Sequence, residues 1–296
     1  MSEPNAPLPR QRNVVSVDVE DYFQVEAFSS VVPRESWDSY SSRVEANTHR
    51  VLDLLDEAGV RGTFFILGWV AERHPALVRD IVARGHEPAC HSYWHRLIFT
   101  LTRAEFAEDT RRAKGCIEQA AGAEVLGYRA PSFSVTPRSA WATGVLAEVG
   151  FQYDSSVYPV HHDTYGYLGV PRRPFLVKTE YGDLIECPMA TFRLGCTNLA
   201  VGGGGYLRIF PYWYTRMGVE RAWAEGLPVV SYIHPWELDP EQPRMQARLK
   251  SRLRHYTNLD KTAERLRRLL ALGDFYSFRD RGFDDATEIL DLRNPQ

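Results

Sequence analysis

Residues 13–21 read NVVSVDVED, a run rich in β-branched residues that ends in acids. Such a run predicts a strand. Working outward, the pattern predicts a helix from about Arg43 to Ala58, ended by Gly59, and then a second strand in GTFFILG at 62–68. Pro75 opens the next helix and Gly85 closes it, and a short strand leads into His91. Thr102 and Glu105 form a capping-box pair before AEFAEDTRRAKGCIEQAAG at 104–122, because each side chain can satisfy a free amide at a helix start. VLGYR at 125–129 is the next strand, Thr136-Pro137 starts a helix, and Phe151 to Tyr153 reads as extended. LIECP (184–188) and VVSYI (229–233) read as later strands, and Leu259 to Leu272 as a final helix. Strands alternating with helices imply an α/β protein, and about seven parallel strands suit a distorted (β/α) barrel better than an open sheet.

The chain has 296 residues, with 35 Lys plus Arg against 38 Asp plus Glu, so no whole-chain field favours nucleic acid. The leader MSEPNAPLPRQR, residues 1–12, lacks the apolar core of a secretory signal and is expected to be a disordered tail. Residues 13–293 are then expected to form one domain with a C-terminal extension. No stretch reaches the roughly 20 apolar residues a membrane-spanning helix needs. Cys90, Cys116, Cys187 and Cys196 are scattered without a CxxC pair, which fits reduced, small core residues and a cytoplasmic protein.

The chemistry-bearing residues fall at similar places in the pattern. Asp18 ends the first strand, His91 the third, Arg129 the fourth and His234 the strand VVSYI. In a (β/α) barrel those ends converge on one face, where loops from several strands build a site. In HSYWH, His91 and His95 are four apart and can converge on one ion. Surface or capping histidines are the competing explanation. A catalytic metal commonly takes a carboxylate beside two histidines. Acids at a buried strand end are costly unless paired or metal-bound. If the chain is still extended at 18–21, Glu20 shares a side with Asp18 and Asp21 faces the other way. A helix cap or a solvated loop is the alternative use of these acids.

GHEPACHSYWH, then YRAPSF, then SYIHPWE resemble the ordered motifs of polysaccharide deacetylases, carbohydrate esterase family four, over Asn13 to about Glu237. The resemblance implies a distorted barrel, a divalent metal with zinc first among candidates, and an acetylated polysaccharide or oligosaccharide substrate. It makes Asp18 the catalytic base and His91 and His95 metal ligands. The usual adjacent aspartates are absent, since position 19 is Val; the acid-x-acid version of some relatives would make Glu20 the third ligand, with Asp21 as the alternative. Arg129, in RxPxF, would keep Asp18 ionised, and His234 would protonate the leaving nitrogen. Asp154 would orient His234, by analogy with the family's fourth motif.

Phe133, Tyr158 and Trp236 are candidate walls for a sugar ring, with core packing as the alternative. Arg208 beside the glycines 202–205 is a further candidate substrate contact. That run lacks the GKS/T ending of a phosphate loop and reads as flexible. DVEDYFQVEAF and HPWELDPEQPR resemble a narrower branch linked to exosortase exopolysaccharide loci, implying a bacterial exopolysaccharide or its precursor. Residues 244–268 hold nine Lys plus Arg and two acids, so peripheral membrane or anionic glycan contact is possible beside a merely solvated face. Competing functions are a metal-free amidohydrolase on a small cyclic amide and a non-catalytic glycan-binding module. His49, His74, His86, His161, His162 and His255 have no partner motif and read as surface or structural.

Overall fold

The computed structural model describes residues 11–162 and 165–293. Apart from Gln11 and Arg12, the expected leader lies outside them. The described strands are β1 (Asn13–Val19), β2 (Thr63–Ile66), β3 (Glu87–Cys90), β4 (Gly127–Tyr128), β5 (Tyr153–Asp154), β6 (Phe175–Thr179), β7 (Gly182–Glu186), β8 (Thr191–Leu194), β9 (Thr197–Ala200), β10 (Val230–Ile233), β11 (Phe275–Tyr276) and β12 (Ile289–Leu290). The helices are α1 (Val44–Glu57), α2 (Gly68–Arg73), α3 (Pro75–Ala83), α4 (Arg103–Ala121), α5 (Ala142–Val149), α6 (Gly204–Ile209), α7 (Tyr212–Ala224), α8 (Leu249–Tyr256), α9 (Thr262–Leu270) and α10 (Phe278–Arg281).

Strands pair in the order β10-β1-β2-β3-β4-β5-β7, every neighbour parallel. This is the parallel barrel sheet that the alternating pattern predicts. It is distorted where β7 should meet β10: there the link is the Ala190 amide donating to the Val230 carbonyl at 3.4 Å and a bridge between Gly203 and Tyr232. Antiparallel β6 and the β8–β9 hairpin are additions that the pattern reading does not anticipate. β6 alternates in burial over only five residues, and β9 does not alternate.

β1 alternates despite being buried throughout. Val15, Val17 and Val19 pack in the core that includes α1, α2 and α4, while Val14 joins the interior cluster and Ser16 and Asp18 meet Arg129. A period of two therefore sends the polar residues into the barrel. Local signals act as expected: Thr102 caps α4 in a full capping box, and Gly122 ends it at φ 63°. The expected final helix is broken instead into a turn at Leu259–Lys261 and α9, and α10 and β12 follow. Of the free cysteines, Cys90 and Cys187 are buried but Cys196 is exposed, in the turn between β8 and β9. Among the described residues no helix is long and apolar enough to cross a membrane.

Candidate active site

At the C-terminal ends of β1, β3, β4 and β10 lies a pocket of about 200 Å³ whose lining includes Asp18, Glu20, His91, His95, Phe133, Tyr232, His234 and Trp236. Each chemical group has an identifiable support. Asp18 Oδ1 accepts from Arg129 Nη1 at 2.7 Å, and its Oδ2 lies 3.9 Å from His234 Nε2. Arg129 is fully buried, 4.1 Å above the Phe65 ring, and also donates to the Ser16 hydroxyl and to the carbonyl and hydroxyl of Ser155. A buried cation so bonded has one orientation available, which fixes Asp18 in turn.

The loop 91–95 is held in an unusual shape. Ser92 and His95 take φ values of 65° and 50°, a left-handed conformation that costs a non-glycine residue about 1 kcal/mol or more. The Ser92 hydroxyl accepts from the His95 amide, and Asp109 accepts from the Tyr93 amide. Arg34 donates to the Trp94 and His95 carbonyls at 2.6 and 2.8 Å. These bonds turn both imidazoles inward, their ring centroids 5.2 Å apart.

Glu20, His91 and His95 are all buried, and each offers a ligand atom within 4.8 Å of the others. His91 Nδ1 lies 2.8 Å from the Arg129 carbonyl, so it carries the proton there and Nε2 keeps its lone pair. Glu20 Oε2 is 3.0 Å from His95 Nε2 yet has no hydrogen-bond partner. A buried carboxylate oxygen and an imidazole nitrogen at contact distance without a hydrogen bond suit a shared cation, and two nitrogens with one oxygen suit an open catalytic zinc-type site. Burial raises the Glu20 carboxyl, but His95, His234 and His91 together outweigh it and leave its pKa at about 2. Burial lowers His91 to about 4, against Asp18 and Glu20, so it is neutral and able to ligate. The donors present therefore fit a divalent metal. Asp21 faces elsewhere: its carboxylate accepts from Ser42 Oγ and from the Arg43 and Val44 amides at the start of α1.

His234 follows β10, and its Nδ1 is 2.6 Å from Glu237 Oε1. Burial lowers the imidazole pKa, but Glu237, Glu20 and Asp18 raise it to about 9. Glu237 is itself buried, which raises its carboxyl, but Arg208 and His234 hold it at about 2. Glu237 is the residue that the sequence reading passes over. Its signal was a carboxylate three positions after His234 with Pro235 between, the spacing of a capping box.

Four expectations are corrected. Asp154 does not reach the His234 Nδ1; it accepts from the Ser156 hydroxyl and pairs with Glu186 between β5 and β7, where burial pushes both carboxyls up, Asp154 to about 6. Arg208 does not line the pocket: it is buried, ion-paired to Glu237, and donates to the carbonyls of Arg254, His255 and Thr257. The glycines are not a flexible loop. A Cβ on Gly203 would lie 2.2 Å from Tyr232 Cδ1, so the absent side chain lets the backbone seat the Tyr232 ring that walls the pocket. Trp236 lines the pocket, stacks on His234 at 5.1 Å and donates to Glu20 Oε1 at 3.1 Å. Tyr158 does not wall the pocket as expected: it is fully buried and packs edge-on behind Phe133, 5.3 Å between centroids, the core-packing alternative.

Residues 36–153 match the family profile described as polysaccharide deacetylase, and residues 155–281 match one described as a domain of unknown function (DUF3473). A chitooligosaccharide deacetylase of Sinorhizobium fredii is 38% identical over 85 residues, covering 28% of this chain and 40% of that protein. A peptidoglycan-N-acetylglucosamine deacetylase of Bacillus cereus is 29% identical over 97 residues, 32% of this chain and 35% of that protein. The chain thus spans two fifths or less of the length of these two curated relatives. In fold, it resembles a crystal structure from Mycobacterium smegmatis assigned to the polysaccharide deacetylases (TM-score 0.59, 22% identity, covering 92% of this chain and 90% of that one). An allantoinase shares the fold at TM-score 0.59 and 15% identity, covering 95% and 96%.

Proposed function

We propose, on the premise that residues 36–153 match the polysaccharide deacetylases, that this chain is a metal-dependent hydrolase that removes acetyl groups from N-acetylated sugars. The observation that carries the reading is the convergence of Glu20, His91 and His95 in one pocket with Asp18 and His234. A divalent cation held by those three, zinc by its donor preference, would supply Lewis acidity toward the acetyl carbonyl and toward water.

The chain's own residues supply the proton transfers. Asp18 keeps one oxygen on Arg129 and turns the other to the cleft, where it takes the proton of the attacking water. His234 bonds Glu237 through Nδ1, so its Nε2 delivers a proton to the sugar nitrogen as the C–N bond breaks. Acetate and a free amine are the products. Phe133, Tyr232 and Trp236 give apolar faces for a pyranose ring, and the pocket is small enough to work on one sugar at a time. We take the substrate to be a bacterial exopolysaccharide or its precursor, on the phrases DVEDYFQVEAF and HPWELDPEQPR. Four free cysteines support a reducing, cytoplasmic setting.

Acetate release from N-acetylated oligosaccharides, measured before chelation, after it and after zinc is returned, tests the reading. Release that vanishes and returns supports it. Undiminished release from the metal-stripped protein overturns the metal mechanism and favours a metal-free amidohydrolase, and no release from any acetylated glycan that binds favours a non-catalytic module.

A further inference from the structure

Beyond the pocket, the segment 244–254 carries Arg244, Arg248, Lys250, Arg252 and Arg254 and no acid, in a chain of net charge −3. Within it, Leu249 and Leu253 stand one turn apart on α8 and are 68% and 59% exposed. The opposite face of α8 is anchored: His255 is buried, with its ring 4.6 Å from Phe28 and 4.0 Å from Trp236. The leucines therefore point away from the protein, flanked by cations. Exposed Ile209, Phe210 and Trp213 lie nearby in sequence to Arg208, across the end of α6 and the start of α7. The end of α6 is tied to the end of α8 by Arg208, whose guanidinium donates to the carbonyls of Arg254, His255 and Thr257.

We propose that this face is a docking surface for an anionic lipid bilayer. Exposed aliphatic side chains one turn apart, ringed by arginine and lysine, match the headgroup boundary, where the leucines enter the acyl region and the cations meet lipid phosphates. A hydrated anionic polymer would satisfy the charges but offer no apolar phase to Leu249 and Leu253. The face is rigidly joined to the site, because Phe28 packs on His255 and follows Val25, Glu26 and Ala27, which form one rim of the pocket. Seating α8 on a bilayer would leave the pocket on the inner side of that helix, joined to it through His255 and Trp236. Docking is independent of the reaction, so it can be tested without turnover.

The full chain is sedimented with vesicles of phosphatidylcholine alone and with phosphatidylglycerol added. Wild type is expected to pellet with the anionic vesicles only, and less so as salt rises. The double substitution Leu249→Ser, Leu253→Ser is expected to lower the bound fraction on the order of tenfold. Lys250→Ser with Arg252→Ser is expected to weaken binding similarly, and both pairs should keep the thermal midpoint and the acetate release from a soluble oligosaccharide. Wild type left in the supernatant with both vesicles overturns the proposal, as does pelleting that the leucine substitutions leave unchanged. Retention on an anionic polysaccharide matrix without vesicle binding also overturns it and assigns the face to a polymer.

Discussion

His234 Nδ1 lies 2.6 Å from Glu237 Oε1, and Glu237 is in turn ion-paired to buried Arg208. The carboxylate fixes which ring nitrogen carries the shared proton and turns Nε2 toward Asp18 and Glu20, 3.9 and 3.5 Å away. Glu237→Gln is expected to lower kcat on the order of a hundredfold or more while KM changes little, read from steady-state acetate release. It also leaves Arg208 buried without its counter-charge, at about 3 kcal/mol or more. The double variant Arg208→Met, Glu237→Gln removes the stranded charge but also the donor to the Arg254, His255 and Thr257 carbonyls, so it should regain only part of that stability in a denaturant melt, without regaining kcat. Recovery of both would reduce Glu237 to a structural role.

Asp18→Asn preserves the shape and the acceptor for Arg129 Nη1 but removes the carboxylate proposed as the base. Turnover is expected to fall by roughly 10²–10⁴. Bound zinc per chain, measured by atomic absorption, should stay near the wild-type value because Asp18 is outside the ligand trio. Near-normal turnover would mean that another group takes the proton.

Zinc added to the stripped protein should raise its stability, by about 2.7 kcal/mol at a free concentration a hundred times the Kd. His95→Ala removes one of the three converging donors and should abolish most of that gain. Differential scanning fluorimetry reads it directly. An equal zinc-induced shift in His95→Ala and wild type would take the ion elsewhere.

Gly203→Ala would set a methyl 2.2 Å from Tyr232 Cδ1 and 2.8 Å from the Tyr232 carbonyl oxygen. Because backbone cannot yield as a flexible side chain does, overpacking should destabilise the fold by about 1–3 kcal/mol. It should also displace the Tyr232 wall and raise KM. An unaltered melting curve and unaltered KM would show that the glycine run is not what seats this ring.

His86 is buried, and its Nδ1 accepts from the Gly62 amide at 3.1 Å. Burial depresses its pKa from 6.5 to about 4, so between those values the unfolded chain binds the proton and the folded one does not. Its contribution is whole above pH 6.5 and is lost as pH falls toward 4, amounting to about 3 kcal/mol. His86→Asn keeps an acceptor for Gly62 and cannot titrate. Urea melts should therefore show a smaller loss of stability from pH 6.5 to 4.5 in the variant; equal losses would refute the assignment.

The sequence by itself determined the alternation of strands and helices, because hydrophobic period and capping act within a few residues. NVVSVDV already separates Val15, Val17 and Val19 from Ser16 and Asp18, and Thr102 with Glu105 already marks the start of α4. The spacing of His91 and His95 allows two imidazoles to converge but equally allows surface or capping histidines, and it cannot supply the Arg34 and Asp109 bonds that turn them inward.

Only the tertiary structure decided which partner each buried charge takes. Glu20 and Asp21 are adjacent acids, yet one meets His95 and the other caps α1 from more than twenty residues away. Arg208 reads as a loop cation until α8 folds over it, and Asp154 reads as a partner for His234 until Glu186 arrives on the neighbouring strand. A buried ionised group must find a counter-charge or hydrogen bonds wherever packing brings them, and those partners lie on elements far apart in the chain.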